Sequence, residues 1–145
     1  MKIVTEIPPE CFVTPRVSAL LARDYVRALA RANEVYLRVC PNTPGLYSSG
    51  VKYQREPNAG QYEEFAAIPT VLNRGWGDCD DLVAWRVAEY RQVLKRPADV
   101  MIYWRPKTNV FHLQVRYWPS ADARRSGHPG DVEDPSRLCG MGITE

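Results

Sequence analysis

From Val17 onward, apolar residues recur at helical spacing: Leu20, Leu21, Tyr25, Ala28, Leu29, Ala32, Val35, Tyr36 and Val39. This pattern predicts one long amphipathic helix. Thr14-Pro15 supplies its start, a capping hydroxyl followed by proline at the first helical position, and Pro41 stops it. Residues 41–61 are rich in Pro, Gly, Asn and Ser and read as a long loop that can face a substrate. Tyr62 to Leu72 reads as a short helix interrupted near Pro69. A second strong helix runs from Asp78 to Lys95, with Leu82, Trp85, Val87, Ala88, Val93 and Leu94 on its apolar side and Pro97 just beyond it. The period then changes to two. Val100–Trp104 and Val110–Trp118 are β-rich runs joined by Arg105-Pro106-Lys107-Thr108-Asn109, which predicts an antiparallel hairpin. Residues 119–131 are polar, with Gly127, Pro129 and Gly130, and read as a loop; Val132–Pro135 reads as a short third strand. Helices first and strands second imply an α+β fold with N-terminal helices packed on one face of a small antiparallel sheet.

At 145 residues the chain is long enough for one domain with a real core, and 45% apolar residues can fill it. A net charge of +2 is too small to argue for nucleic acid or an anionic membrane. Arg16, Arg23, Arg27, Arg31 and Arg38, interleaved along the first helix, are therefore read as a solvated face and not a phosphate-binding ridge. No apolar run reaches membrane-spanning length, and the first residues lack a signal core, so no membrane partner and no signal-peptide export are expected. The four cysteines, at 11, 40, 79 and 139, form no C-x-x-C pair and do not cluster with the two histidines, which argues against structural zinc. Cys11, Cys40 and Cys139 are read as structural or incidental thiols.

Cys79 differs in its setting. In Gly75-Trp76-Gly77-Asp78-Cys79-Asp80-Asp81-Leu82 a glycine turn runs straight into a helix and places a thiol at its start, where free N–H groups and the positive end of the helix dipole favour a thiolate. His112 follows inside a strand, and Asp134 lies in Val132-Glu133-Asp134-Pro135-Ser136. A thiol, an imidazole to take its proton and a carboxylate to orient the imidazole are the parts of an activated cysteine nucleophile. Asp78, Asp80 and Asp81 oppose this by like-charge repulsion on the thiolate. They are expected to cap and complement the helix; binding of Ca²⁺ by the three is the alternative.

These residues resemble the transglutaminase-like branch of the papain-like cysteine peptidases, over residues 75 to 136. In that family a helix-start cysteine within Gly-Asp-Cys-(Glu/Asp)-Asp is the nucleophile, a strand histidine is the base, and the aspartate of an Asp-Pro-(Thr/Ser) turn is the orienter. The resemblance carries these roles to Cys79, His112 and Asp134. It implies a single domain over 1–145, with 1–61 a helical N-terminal part and loop and 62–145 the catalytic-type core. It also implies an amide hydrolase that needs no cofactor and takes a peptide or protein substrate. Asn73, six residues before the cysteine, and the indole of Trp76 are candidate oxyanion donors beside the Cys79 N–H. Where the family often has an aromatic after the histidine, Leu113-Gln114 stands. Small bacterial and phage-encoded proteins carry similar domains, so the rival expectation is a non-catalytic structural or assembly component, such as a phage virion protein, that keeps the fold. The corresponding location is the cytoplasm or a virion. The expected geometry is a Cys79 sulfur about 3–4 Å from one His112 ring nitrogen, with Asp134 at the other.

Overall fold

A computed structural model describes residues 14–57, 64–105 and 110–142, with the side chains of Trp104, Arg105 and Val110 excepted. Helix α1 spans Pro15–Val39, and Thr14 caps it by accepting the Val17 N–H at 3.2 Å. A 3-10 turn follows at Leu46–Ser48 and a two-residue strand β1 at Lys52–Tyr53. Then come α2 (Ile68–Arg74), β2 (Trp76–Gly77), α3 (Cys79–Gln92), β3 (Ala98–Arg105), β4 (Val110–Tyr117), α4 (Ala121–Arg125), β5 (Asp131–Glu133) and α5 (Pro135–Leu138). Strands β3, β4 and β5 form one antiparallel sheet in that order, and β1 pairs with β2 in parallel. The architecture is α+β, with α1 and α3 packed against a small antiparallel sheet.

The chain departs from the sequence pattern in four places, each for a local reason. Pro69 does not interrupt a helix; it lies in the first turn of α2, where its fixed φ and missing N–H cost nothing. The 41–61 segment is not loop throughout, since β1 lies within it; residues 58–61 fall outside the description, as do Cys11 and residues 106–109. Ser120 accepts the Ala123 N–H at 3.0 Å and starts the unexpected helix α4, which buries no residue. On α1 the buried stripe is Val26, Ala30, Asn33, Glu34 and Leu37, while Val35 and Val39 face solvent. The two polar members of that stripe have buried work: Asn33 Oδ1 accepts the Ile68 N–H at 3.0 Å, and Glu34 ion-pairs with Arg91 at 3.2 Å.

Helix α3 is the centre of the molecule. Leu82, Val83, Ala84, Trp85, Val87 and Ala88 are all fully buried, so the helix is apolar around nearly its whole circumference. One side joins Val26 and Ala30 of α1 and Val100, Leu113 and Val115 of the sheet; the other joins Leu37, Leu46, Ile68 and Val71. Val93 and Leu94, assigned to its apolar side by spacing, lie past its end and are exposed. Among the described residues no helix is long and apolar enough to cross a membrane.

Candidate functional site

Two glycines bring the chain into α3. Gly75 ends α2 with φ +82, a left-handed conformation that suits glycine, and its N–H bonds Val71 O at 2.8 Å. Gly77 lies so close to the first turn of α3 that a Cβ there would meet Asp81 Cβ and Leu82 Cδ2, each at 3.2 Å. Asp78 is the N-cap and makes a reciprocal box with Asp81: Asp78 Oδ1 accepts the Asp81 N–H at 3.2 Å, and Asp81 Oδ2 accepts the Asp78 N–H at 3.3 Å. Asp81 Oδ1 also accepts the Ala66 N–H at 2.7 Å, and Oδ2 takes Arg74 Nη2 at 2.7 Å. Both oxygens of this buried carboxylate are thus committed to the protein. Capping describes Asp78 and Asp81 well. Among the described residues no group of three or more histidine, cysteine or acidic side chains converges as a metal site.

Cys79 is therefore the first residue of a firmly capped helix. Its sulfur, half-buried, bonds Asp80 Oδ1 at 3.6 Å and receives a backbone hydrogen bond from Leu113. Burial first, then the charges of Asp80 and Asp78, push the thiol well above the ordinary thiol range, with the Leu113 bond opposing. Burial, joined by the two carboxylates, outweighs the helix start, and the resting group is a neutral thiol. Asp80→Asn removes the larger of the two charges. Iodoacetamide is expected to alkylate Cys79 on the order of tenfold faster at pH 7 in that variant, the change in thiolate fraction that one pKa unit makes. An unchanged rate would show that Asp80 does not set the thiol's state.

The Leu113 bond also locates the sulfur relative to His112. Strand β5 pairs with β4 at Val115, Arg116 and Tyr117, and among the described residues no strand pairs with this edge of β4 from Gln114 back to Val110. Strand alternation puts Leu113 and Val115 on the α3 side of the sheet and His112 and Gln114 on the other. Cys79 packs against the core cluster on the α3 side and meets β4 through the Leu113 backbone, one residue along the chain from His112, whose ring lies on the other face. His112 is 5% exposed, and its Nε2 lies 2.9 Å from Asp134 Oδ2. A carboxylate only accepts, so Nε2 carries a hydrogen, and Nδ1, the nitrogen nearer the backbone, is the one not bonded to Asp134. No hydrogen bond joins Cys79 to His112 among the described residues.

Asp134 is held from several sides. It caps α5 through Oδ1, which accepts the Arg137 N–H at 3.4 Å, while Oδ2 also receives Gln114 Nε2 at 3.3 Å and Arg137 Nε at 3.5 Å. Sequence reading missed Gln114 as a partner, although its place two residues after His112 on the same strand face is the signal that finds it. The neighbouring residue anchors the turn. Glu133 accepts Arg86 Nε at 2.7 Å, Tyr47 Oη at 2.7 Å and Tyr90 Oη at 2.9 Å. Burial raises its carboxyl, but the bonds from Arg86 and Tyr47 prevail and hold it below the usual range. Arg86 stands two turns after Cys79 on α3, so this network ties the cysteine's helix to the strand that ends at Asp134. Nothing local in the sequence announces it, since its members are up to 86 residues apart.

The remaining candidates are scattered. Asn73 is exposed in the last turn of α2 and has no hydrogen bond to Cys79. Trp76 is half-buried and carries the Arg74 guanidinium 3.6 Å above its ring. His128 is exposed and accepts the Gly130 N–H at Nδ1. Arg27 is no part of a phosphate ridge; it forms a two-pronged pair with Asp99 at 2.9 and 2.7 Å. Cys40 and Cys139 are free thiols.

A scan against protein-family models and a search of curated proteins return no match. Among solved structures, the chain is similar to "a Putative Cysteine Protease from Cytophaga hutchinsonii", with a TM-score of 0.45 and 18% identity over 91% of this chain. It spans 46% of that protein's length. At this distance the likeness decides neither fold family nor activity.

Proposed function

We propose that the chain is a cysteine-dependent amide hydrolase of the transglutaminase-like, papain-fold type, acting on peptide or isopeptide bonds through Cys79, His112 and Asp134. One observation carries the reading: the His112–Asp134 bond uses Nε2 and leaves Nδ1 as a base, while the Cys79 sulfur lies on the backbone of the adjacent Leu113.

With a thiol raised above its ordinary value, the mechanism begins from the neutral Cys79–His112 pair. The sulfur attacks the amide carbonyl carbon as its proton passes to His112 Nδ1, and the carbonyl electron pair moves onto oxygen. The backbone N–H of Cys79, at the start of α3, is the donor for the oxyanion. Asn73 and Trp76 remain secondary candidates for that role. His112 then returns the proton to the leaving amine nitrogen as the C–N bond breaks, giving a thioester. Water, deprotonated by the same nitrogen, attacks the thioester and restores the thiol. Asp134 accepts from Nε2 throughout and stabilises the imidazolium. An unliganded site in which thiol and imidazole have not yet closed is common, and substrate binding is the step that brings Nδ1 to sulfur.

The test is hydrolysis of a panel of short peptides and γ-linked isopeptides followed by mass spectrometry. The parent chain is expected to cleave at least one class, and Cys79→Ala none. Cleavage that survives Cys79→Ala overturns the mechanism. A parent inert on every substrate favours the rival, a protein that keeps the fold without turnover.

A further inference from the structure

A cavity of about 420 Å³ opens between the start of α1 and the hairpin end of β3 and β4, lined by Pro15, Arg16, Ala19, Ile102, Tyr103 and Phe111. Its size suits one large side chain and part of a second residue. Its position ties it to the chemistry. Phe111 and Leu113 are successive positions on one side of β4, about 7 Å apart, and Leu113 is the residue whose backbone bonds the Cys79 sulfur. His112 lies between them in the chain. Tyr103, its cross-strand partner, sets its ring against the imidazole at 5.6 Å in a T-shaped contact. Ile102 packs against the same core cluster as Cys79. The cavity thus ends at Phe111, one strand step from Leu113, whose backbone holds the nucleophile.

Its chemistry is one-sided. Five of the six lining residues offer hydrocarbon or an aromatic ring, and the sixth, Arg16, is exposed and forms no ion pair among the described residues. The other arginines of this half of α1 are engaged: Arg23 contacts Asp24, and Arg27 grips Asp99. A cation left over at the mouth of an apolar cavity is complementary to a carboxylate displayed beside a bulky apolar group.

We infer that this cavity is a substrate subsite that takes a bulky apolar side chain of the peptide, with Arg16 receiving a nearby carboxylate. The assignment rests on the hydrolase reading for its purpose but not for its test, because binding can be measured on a chain that cannot turn over. The probe is a fluorescein-labelled pentapeptide with one phenylalanine and a free C-terminal carboxylate, titrated against the full chain carrying Cys79→Ala. Serine in place of the phenylalanine is expected to weaken binding about tenfold. Amidating the C-terminus is expected to weaken it to a similar degree; if an amidated peptide bearing a glutamate side chain regains the loss, the side chain is an equally good source of the carboxylate. Adding Arg16→Gln, an exposed change that leaves packing alone, should remove the carboxylate effect while keeping the preference for phenylalanine. Ala19→Trp, which fills the cavity, should remove the preference itself, with a melting curve to show that the chain still folds.

Binding indifferent to the apolar residue, binding indifferent to Arg16→Gln, or no binding at millimolar peptide would each overturn the subsite. Selective binding by the Cys79→Ala chain with no turnover by the parent would retain the subsite and remove the hydrolase. Turnover by the parent with no selectivity would do the reverse.

Discussion

Asp134→Asn is expected to lower kcat by about 10⁴ while leaving the fold and KM nearly unchanged. The magnitude is that of placing an imidazole in the wrong tautomer. Asp134 Oδ2 accepts from His112 Nε2 at 2.9 Å, which selects the tautomer whose hydrogen is on Nε2, and in the neutral ring the lone pair is then on Nδ1. An asparagine that turned its NH₂ toward Nε2 would reverse this, placing the hydrogen on Nδ1, where it cannot take a proton from sulfur. The substitution spares the structure because asparagine caps a helix about as well as aspartate, so the bond from the Arg137 N–H to Oδ1 is kept. Gln114→Ala removes only one of the supports of the carboxylate and should cost far less. Steady-state kinetics on any cleaved peptide, with a melting curve for each variant, check both. A loss in Asp134→Asn no greater than that in Gln114→Ala would deny Asp134 the orienting role.

The second large effect concerns stability. Arg74→Ala is expected to destabilise the chain by about 3–5 kcal/mol at pH 9, the range for removing one partner of a buried ion pair. Asp81, whose side chain is wholly buried, receives Arg74 Nη2 at 2.7 Å, and the same guanidinium bonds Trp76 O at 2.8 Å and covers the Trp76 ring. Burial, and then the charge of Asp78, raise the Asp81 carboxyl from 3.8 to about 8, and Arg74 is among the groups that oppose the rise. A folded value above the unfolded one means that the native state holds a proton the unfolded chain has released. The associated stability is full below about pH 4 and is lost as pH rises through 8. Removing Arg74 lifts the folded value further: at pH 6 both chains hold Asp81 protonated, whereas at pH 9 the parent has largely released that proton onto a carboxylate paired with Arg74 and the variant has no such partner. Urea unfolding at pH 6 and pH 9 should show a clearly larger gap from the parent at pH 9. An equal gap at both, or one under 1 kcal/mol, would contradict this account of the helix start.

Both predictions draw on features the sequence displayed to different degrees. Thr14-Pro15, Asp78 and the alternation in Val110–Tyr117 are local signals, each complete within a few residues, and the elements they mark lie where spacing puts them. Helix α4 could not be read because it buries nothing and so leaves no apolar period; Ser120 was its only mark. The β1–β2 pair is two residues long and parallel, too short for alternation to register. Pro69 was misread because a proline means opposite things in the first turn of a helix and in its middle. At the site, His112 and Asp134 were legible as types in order, and they do bond. The sulfur's state was not: whether three aspartates or a helix start governs a thiol depends on burial, which spacing does not report. The Arg86–Glu133 network, which joins α3 to β5 and includes Tyr47 and Tyr90, is a product of tertiary structure alone.

The central claim is that the Cys79 sulfur becomes acylated with His112 as its base. It is tested most directly by incubating the chain with an activated peptidyl ester, quenching in acid and mapping the acyl mass to a residue. The account predicts a thioester on Cys79 that forms rapidly in the parent, accumulates at least a hundredfold more slowly in His112→Ala, consistent with the usual contribution of a general base, and is absent from Cys40 and Cys139. Acylation spread evenly over the free thiols, or unaffected by His112→Ala, would contradict it.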